Sequence, residues 1–158
     1  MSDPSQQFHL PIVTSFLEAQ RDLTRHIADL QTWCETWCDD VCSSEPDIFN
    51  RLRKRLLELH ARLLEHFVDE ESDGYLKPAL DVAPRYTSRA ETLQKQHGDF
   101  LRRLDTINSR LLRQNQPDFR WADIQVELKT FLDDLHQHEH AENKIMQTAF
   151  GDDLGAGD

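Results

Sequence analysis

Turn-forming residues are scarce in this chain. Five glycines and six prolines among 158 residues leave little turn material, so the helices should be long. Cysteine is scarce as well. Three of them, an odd number, exclude a disulfide framework and read as free thiols in a reducing compartment. Positive charge is short: 18 Lys and Arg stand against 29 Asp and Glu, a net charge of -11. Nucleic acid would repel such a surface. The nearest thing to a basic patch, Arg51-Leu52-Arg53-Lys54-Arg55, reads as a solvated helix face. No apolar run approaches the ~20 residues that span a bilayer. Met1-Ser2-Asp3-Pro4 lacks the basic and apolar regions of a signal peptide. These absences lead to the expectation of a cytoplasmic protein with no nucleic-acid partner and no membrane.

What is present is helical periodicity. Hydrophobic residues make up 38% and charged residues 30%, enough for one domain with a real core. A first helix starts at Pro11 or at the capping box Ser15-x-x-Glu18. Its apolar stripe is Ile12, Phe16, Ala19, Leu23, His26, Leu30, Trp33 and Trp37, in steps of three and four. Ser44 caps a second helix bearing Leu52, Leu56, Leu59, Leu63, His66 and Glu70, with Gly74 past its end. Residues 74–87 make the longest connection, kept from continuous helix by Pro78 and Pro84. Ser88-x-x-Glu91, or Pro84 a turn earlier, opens a third helix carrying Ala90, Leu93, His97, Leu101 and Leu104; Gly98 there would let a neighbouring element come close. After the turn at Asn115-Gln116-Pro117-Asp118, a fourth helix presents Ile124, Leu128, Phe131, Leu135, His138, Glu142 and Ile145, and ends at Gly151. The pattern predicts an all-α, up-down-up-down four-helix bundle over residues 12–150, with a flexible N-terminus (1–11) and a disordered tail (151–158).

Two stretches repeat each other. In Leu63-Leu64-Glu65-His66-Phe67-Val68-Asp69-Glu70 and Leu135-His136-Gln137-His138-Glu139-His140-Ala141-Glu142, a Leu is followed three residues on by His and four further on by Glu. Those positions share one helix face. That face is otherwise apolar, and buried charge is costly unless it is paired or bound to metal. His26 and His97 sit in the stripes of the first and third helices. The His26–His97 and His66–His138 separations differ by one residue, so the first helix pair maps onto the second. A lone histidine on such a stripe is ordinarily a satisfied core residue; a histidine in all four seams, two with a carboxylate one turn on, points to metal. Imidazole with carboxylate suits iron, zinc, copper or manganese. Six ligands exceed one tetrahedral zinc. Two glutamates bridging two octahedral ions is the natural arrangement, and iron the natural ion.

The order of these residues along four helices resembles the hemerythrin-like (HHE cation-binding) domains, over roughly residues 12–150. The resemblance implies metal ligands at His26, His66, Glu70, His97, His138 and Glu142. It implies two iron ions in a non-heme, oxo- or hydroxo-bridged di-iron centre, with Mn or Zn as substitutes. It further implies binding of O2, NO or a similar small ligand, for sensing, storage or stress response. The alternative is a di-iron oxidoreductase acting on peroxide, NO or O2. Oxygen-carrying members have a second histidine on the third helix, where this chain has Leu93 and Leu101. Their last carboxylate is an Asp five residues after its His; here Asn143 stands there and Glu142 fills the role. The pattern is closer to the family's four-His, two-Glu branch. Ferritin-like proteins, a neighbouring possibility, order their pairs Glu-x-x-His instead.

Several polar residues stand outside this set. Cys34, Cys38 and Cys42, spaced four apart, read as small half-buried thiols at the end of the first helix, with a redox-sensitive patch as the sharper alternative. His136 and His140 point elsewhere on the fourth helix and read as solvated. Glu71 and Glu139 adjoin the proposed ligands and replace them if the helical register slips by one.

Overall fold

The computed structural model describes residues 4–36, 47–72 and 76–155. Four long helices run through them: α1 (Pro4–Thr36), α2 (Ile48–Glu71), α4 (Thr87–Leu111) and α5 (Trp121–Gly155). A short helix α3 (Leu76–Val82) and a 3-10 turn (Pro84–Tyr86) lie between α2 and α4. No strand occurs among the described residues. α1 packs on α2, α2 on α4, α4 on α5 and α5 back on α1, which closes an all-α bundle. No helix among the described residues is long and apolar enough to cross a membrane.

Several boundaries differ from the sequence expectation. α1 begins at Pro4 and runs through Pro11, which forfeits one backbone hydrogen bond of a 33-residue helix. α5 continues through Gly151 to Gly155; a glycine lowers helix stability by about 1 kcal/mol without ending a helix that packing supports. Pro78 sits in the first turn of α3, where a missing N–H would have had no partner in any case. Pro84, not Ser88, opens the last helical run before α4, and Thr87 Oγ1 donates to the Pro84 carbonyl at 2.8 Å. Asp47 precedes α2 and accepts from Asn50 Nδ2 at 3.3 Å. Trp37, Cys38, Cys42, the Ser44 cap, the Gly74 cap and Tyr75 lie outside the described residues, as do 156–158.

The α1 stripe is turned by one position from expectation. Leu23, Ile27, Leu30 and Cys34 are buried, while His26 and Trp33 are half-buried. From Leu23, both the third and the fourth residue on share its face; the more apolar one, Ile27, takes the interior and His26 the edge. On the other helices the expected stripes are buried as read, Leu101 excepted, which is half-buried beside Phe100. The main core of Leu52, Leu56, Leu59, Leu104, Leu128 and Phe131 fills one part of the bundle. A second apolar layer of Leu76, Ala90, Leu93 and Ile145 closes the other part beneath α3. Between these layers each of α2, α4 and α5 contributes about one turn of polar residues, and there the site lies.

Gly98 does not serve a close approach. A methyl group built on it meets nothing nearer than the flexible tip of Arg102, at 3.6 Å. Gly98→Ala is therefore expected to stabilise the protein by about 0.4–1 kcal/mol. A urea denaturation midpoint checks this; a lower midpoint would mean that an unseen constraint holds this residue.

Candidate metal centre

α2 delivers His66 and Glu70, α4 delivers His97, and α5 delivers His138, Glu139 and Glu142; all six are buried. The i, i+4 pairs put His66 Nε2 2.6 Å from Glu70 Oε1 and His138 Nε2 2.8 Å from Glu142 Oε1. Across the bundle, His97 Nε2 stands 3.2 Å from Glu70 Oε2 and 3.2 Å from Glu142 Oε1. His66 Nε2 lies 3.1 Å from Glu139 Oε2. Two groups of four result, Glu70–His97–His138–Glu142 and His66–Glu70–Glu139–Glu142, each offering ligand atoms within 4.8 Å of one another. Glu70 and Glu142 belong to both.

The rings are aimed by partners on their far side. His97 Nδ1 donates to Glu71 Oε1 at 3.1 Å, and His138 Nδ1 donates to Gln96 Oε1 at 2.8 Å. Each bond turns Nε2 inward, as the outer partners of metal-binding histidines do. Phe67 stacks on His97 at 3.8 Å between centroids, 6° from parallel, and Phe100 meets His138 edge-on at 5.1 Å. These aromatic walls keep water from one side of the layer.

Does this arrangement suit cations? Ligand bonds of about 2.1 Å set the edges of an octahedron near ~3.0 Å. The nitrogen–oxygen separations of 2.6 to 3.2 Å bracket that value. Both Glu70 oxygens, His138 Nε2, Glu139 Oε1 and Glu142 Oε2 are buried without an aligned hydrogen bond. Lone pairs packed closely but poorly aligned with one another suit a shared ion better than a hydrogen-bond network. The donor set, imidazole and carboxylate, fits divalent transition metals.

Electrostatics of the ion-free site agree. Burial opposes charge on His66, but its hydrogen bond to Glu139 and the close Glu70 carboxylate outweigh it and push the ring up to about 11. His97 follows the same pattern: burial is outweighed by Glu142 and Glu70, and the ring rises to about 10. Burial also opposes the Glu70 carboxylate, yet His66 and His97 hold it down at about 2. Burial drives Glu142 well above the usual carboxyl range, with the charges of Glu70 and Glu139 adding to the effect. Burial holds His138 down at about 4.

His26 is brought into neither group. Its ring is half-buried on α1, its Nε2 is shielded and without a hydrogen-bond partner, and burial, then Arg62, lowers its pKa. Glu139, which the one-face reading of α5 keeps only as a replacement, lies inside the site. Spacing along the face does not mark it: the residue after His138 points about 100° around the helix, and only the arrangement of the helices brings it to 3.1 Å from His66. His136 and His140 are exposed. Cys34 is a buried core thiol, pushed up to about 12 by burial and Glu35.

Two cavities flank α1. One of about 250 Å³ is lined by Ala19, Leu23, Arg62, Glu65 and His66. The other, of about 500 Å³, is bordered by Gln20, His136, Glu139, His140 and Asn143. They reach the site from two sides, at His66 and at Glu139.

The family model described as "Hemerythrin HHE cation binding domain" matches residues 12–150. No curated protein and no solved structure matches the chain.

Proposed function

The chain belongs to the hemerythrin HHE cation-binding family, and from that premise we propose that it is a non-heme di-iron protein that binds O2, NO or a similar small ligand. The observation that carries the reading is the sharing of Glu70 and Glu142 by two ligand groups, one with His97 and His138, the other with His66. Glu70 and Glu142, common to both groups, would each help hold both ions. His26 is retained as the remaining member of the ligand set, on the strength of its shielded, unpartnered Nε2. Iron suits the mixture of imidazole and carboxylate, with Mn or Zn as substitutes. The pattern is that of the four-His, two-Glu branch.

When bound, the iron pair would supply redox chemistry toward small ligands. The chain's own residues do the rest. Glu71 and Gln96 fix the orientation of His97 and His138. Phe67 and Phe100 exclude water from the ring faces. The cavity ending at His66 gives a diatomic ligand a route inward. Turnover would rest on the metals themselves, so binding, for sensing, storage or stress response, is the first reading. The second reading, an oxidoreductase acting on peroxide, NO or O2, keeps the same centre.

Protein loaded anaerobically with Fe(II) and mixed with NO should give a saturable spectral change at about one ligand per centre, and no steady consumption of NO with an electron donor. Sustained turnover would select the oxidoreductase; no spectral change with NO, O2 or peroxide would refute both. The ligand assignment is tested separately. His138→Ala is expected to lose at least one ion per chain, and His136→Ala none, by elemental analysis. The reverse result would mean that the register of α5 is wrong.

A further inference from the structure

Resting on the two-ion reading, we infer that Glu139 is a third carboxylate ligand, serving the ion held by His66, so that the two positions of the centre differ in chemical character. Glu139 is 2% exposed. Its Oε2 lies 3.1 Å from His66 Nε2, and its Oε1 is buried with no hydrogen-bond partner. A buried carboxylate oxygen in that condition is costly; a cation removes the cost. The residue follows His138, but the turn of about 100° between neighbours on a helix carries it away from His97 and toward His66. The family's one-face pattern therefore does not contain it.

The consequence is asymmetry. The group around His97 and His138 offers two imidazoles and two carboxylates; the group around His66 offers one imidazole and three carboxylates, and His26 at that position would add an imidazole without removing the extra carboxylate. Carboxylate oxygen favours hard ions such as Mn(II), and imidazole favours Zn and Fe. The His66 position should therefore discriminate less between Zn and Mn than its neighbour does. A third carboxylate also leaves one uncompensated positive charge on two divalent ions, where two carboxylates would leave two.

Ion-free wild type, Glu139→Gln and His26→Ala are titrated anaerobically with Mn(II) and, separately, Zn(II), counting bound ions after desalting. Wild type should take up two ions in two steps. Glu139→Gln should lose one step and keep the other; because Glu70 and Glu142 belong to both groups, the affinity of the kept step is expected to shift as well, and its persistence is the readout. The Zn-to-Mn affinity ratio should be at least about tenfold smaller for the lost step. Glu139→Gln that retains both steps overturns the proposal, as does loss of the step in His26→Ala alone. Equal ratios overturn the difference in character. Wild type that binds one ion or none refutes the two-ion reading itself, a result distinct from the failure of Glu139. A crystal structure of Mn-loaded wild type answers the same question without substitution. A Glu139 oxygen bonded to the ion near His66 supports the assignment, and a ligand shell without it overturns the assignment.

Discussion

Glu142→Gln is expected to empty both ion positions while leaving the ion-free protein at least as stable as wild type. Glu142 is 0% exposed and belongs to both ligand groups. One of its oxygens faces His97 and His138, and the other stands 3.9 Å from His66 Nε2. An amide of the same shape keeps one acceptor oxygen and loses the negative charge, so it cannot bridge two cations. Loss of His66 or His138 removes a terminal donor and at least one ion; loss of Glu142 removes a ligand from each. The stability half follows from the sign of its shift. The folded protein raises the Glu142 carboxyl well above its ordinary value. Above about pH 4.5, the ordinary carboxyl range, the unfolded chain therefore ionises more readily than the folded one, and folding loses stability as pH rises. Glutamine removes that cost, and its carbonyl still accepts from His97. Elemental analysis after loading and urea midpoints of chelated protein test the two halves separately. Two ions in the variant would refute the bridging role, and a lower midpoint would show that the carboxylate supports the fold.

The fold was legible because it rests on a repeated choice between apolar and polar at intervals of three and four. Leu52, Leu56, Leu59 and Leu63 leave α2 one way to pack, and Ile124, Leu128, Phe131 and Leu135 do the same for α5. Periodicity failed where two adjacent residues both continue a stripe, as at His26 and Ile27. The choice there depends on which side chain the neighbouring helices enclose, and sequence spacing is silent on that. The same limit hid Glu139. A ligand reaching from the side of a helix leaves no mark in the spacing along its face. Helix ends were less legible than helix faces, because packing carries α1 through Pro11 and α5 through Gly151. The outer partners Glu71 and Gln96 are single polar residues beside or across from a ligand, and only the three-dimensional arrangement distinguishes them from solvated neighbours.

Ion loading should release at least two protons per chain near neutral pH, and the stabilisation that ions confer should grow steeply with pH. In the ion-free protein His66 sits at about 11 and His97 at about 10, so both rings are charged at pH 7. A ring must be neutral to bind a metal. His138, held at about 4, is neutral already. Filling both positions thus competes with at least two protons, to which the raised Glu142 carboxyl adds, and the overall constant should rise at least roughly 100-fold per pH unit through neutrality. That factor is about 2.7 kcal/mol of added stabilisation per pH unit, or roughly 5–10 °C in melting temperature for a chain of this size. The ion-free protein moves the other way. The raised His66 and His97 contribute stability that is fully present below their unfolded value of 6.5 and is lost as pH rises through 10 to 11. The depressed Glu70 contributes above 4.5, and its share is lost as pH falls through about 2. The depressed His138 costs stability below 6.5, where the unfolded chain takes up a proton that the folded one refuses. The gap between loaded and chelated melting temperatures should therefore widen from about pH 6 to about pH 7.5. Calorimetry in buffers of different ionisation enthalpy counts the protons directly. A count near zero with a constant gap would mean that His66 and His97 are neutral before the ions arrive, and would remove the charged pairs as the reason this layer stays buried without metal.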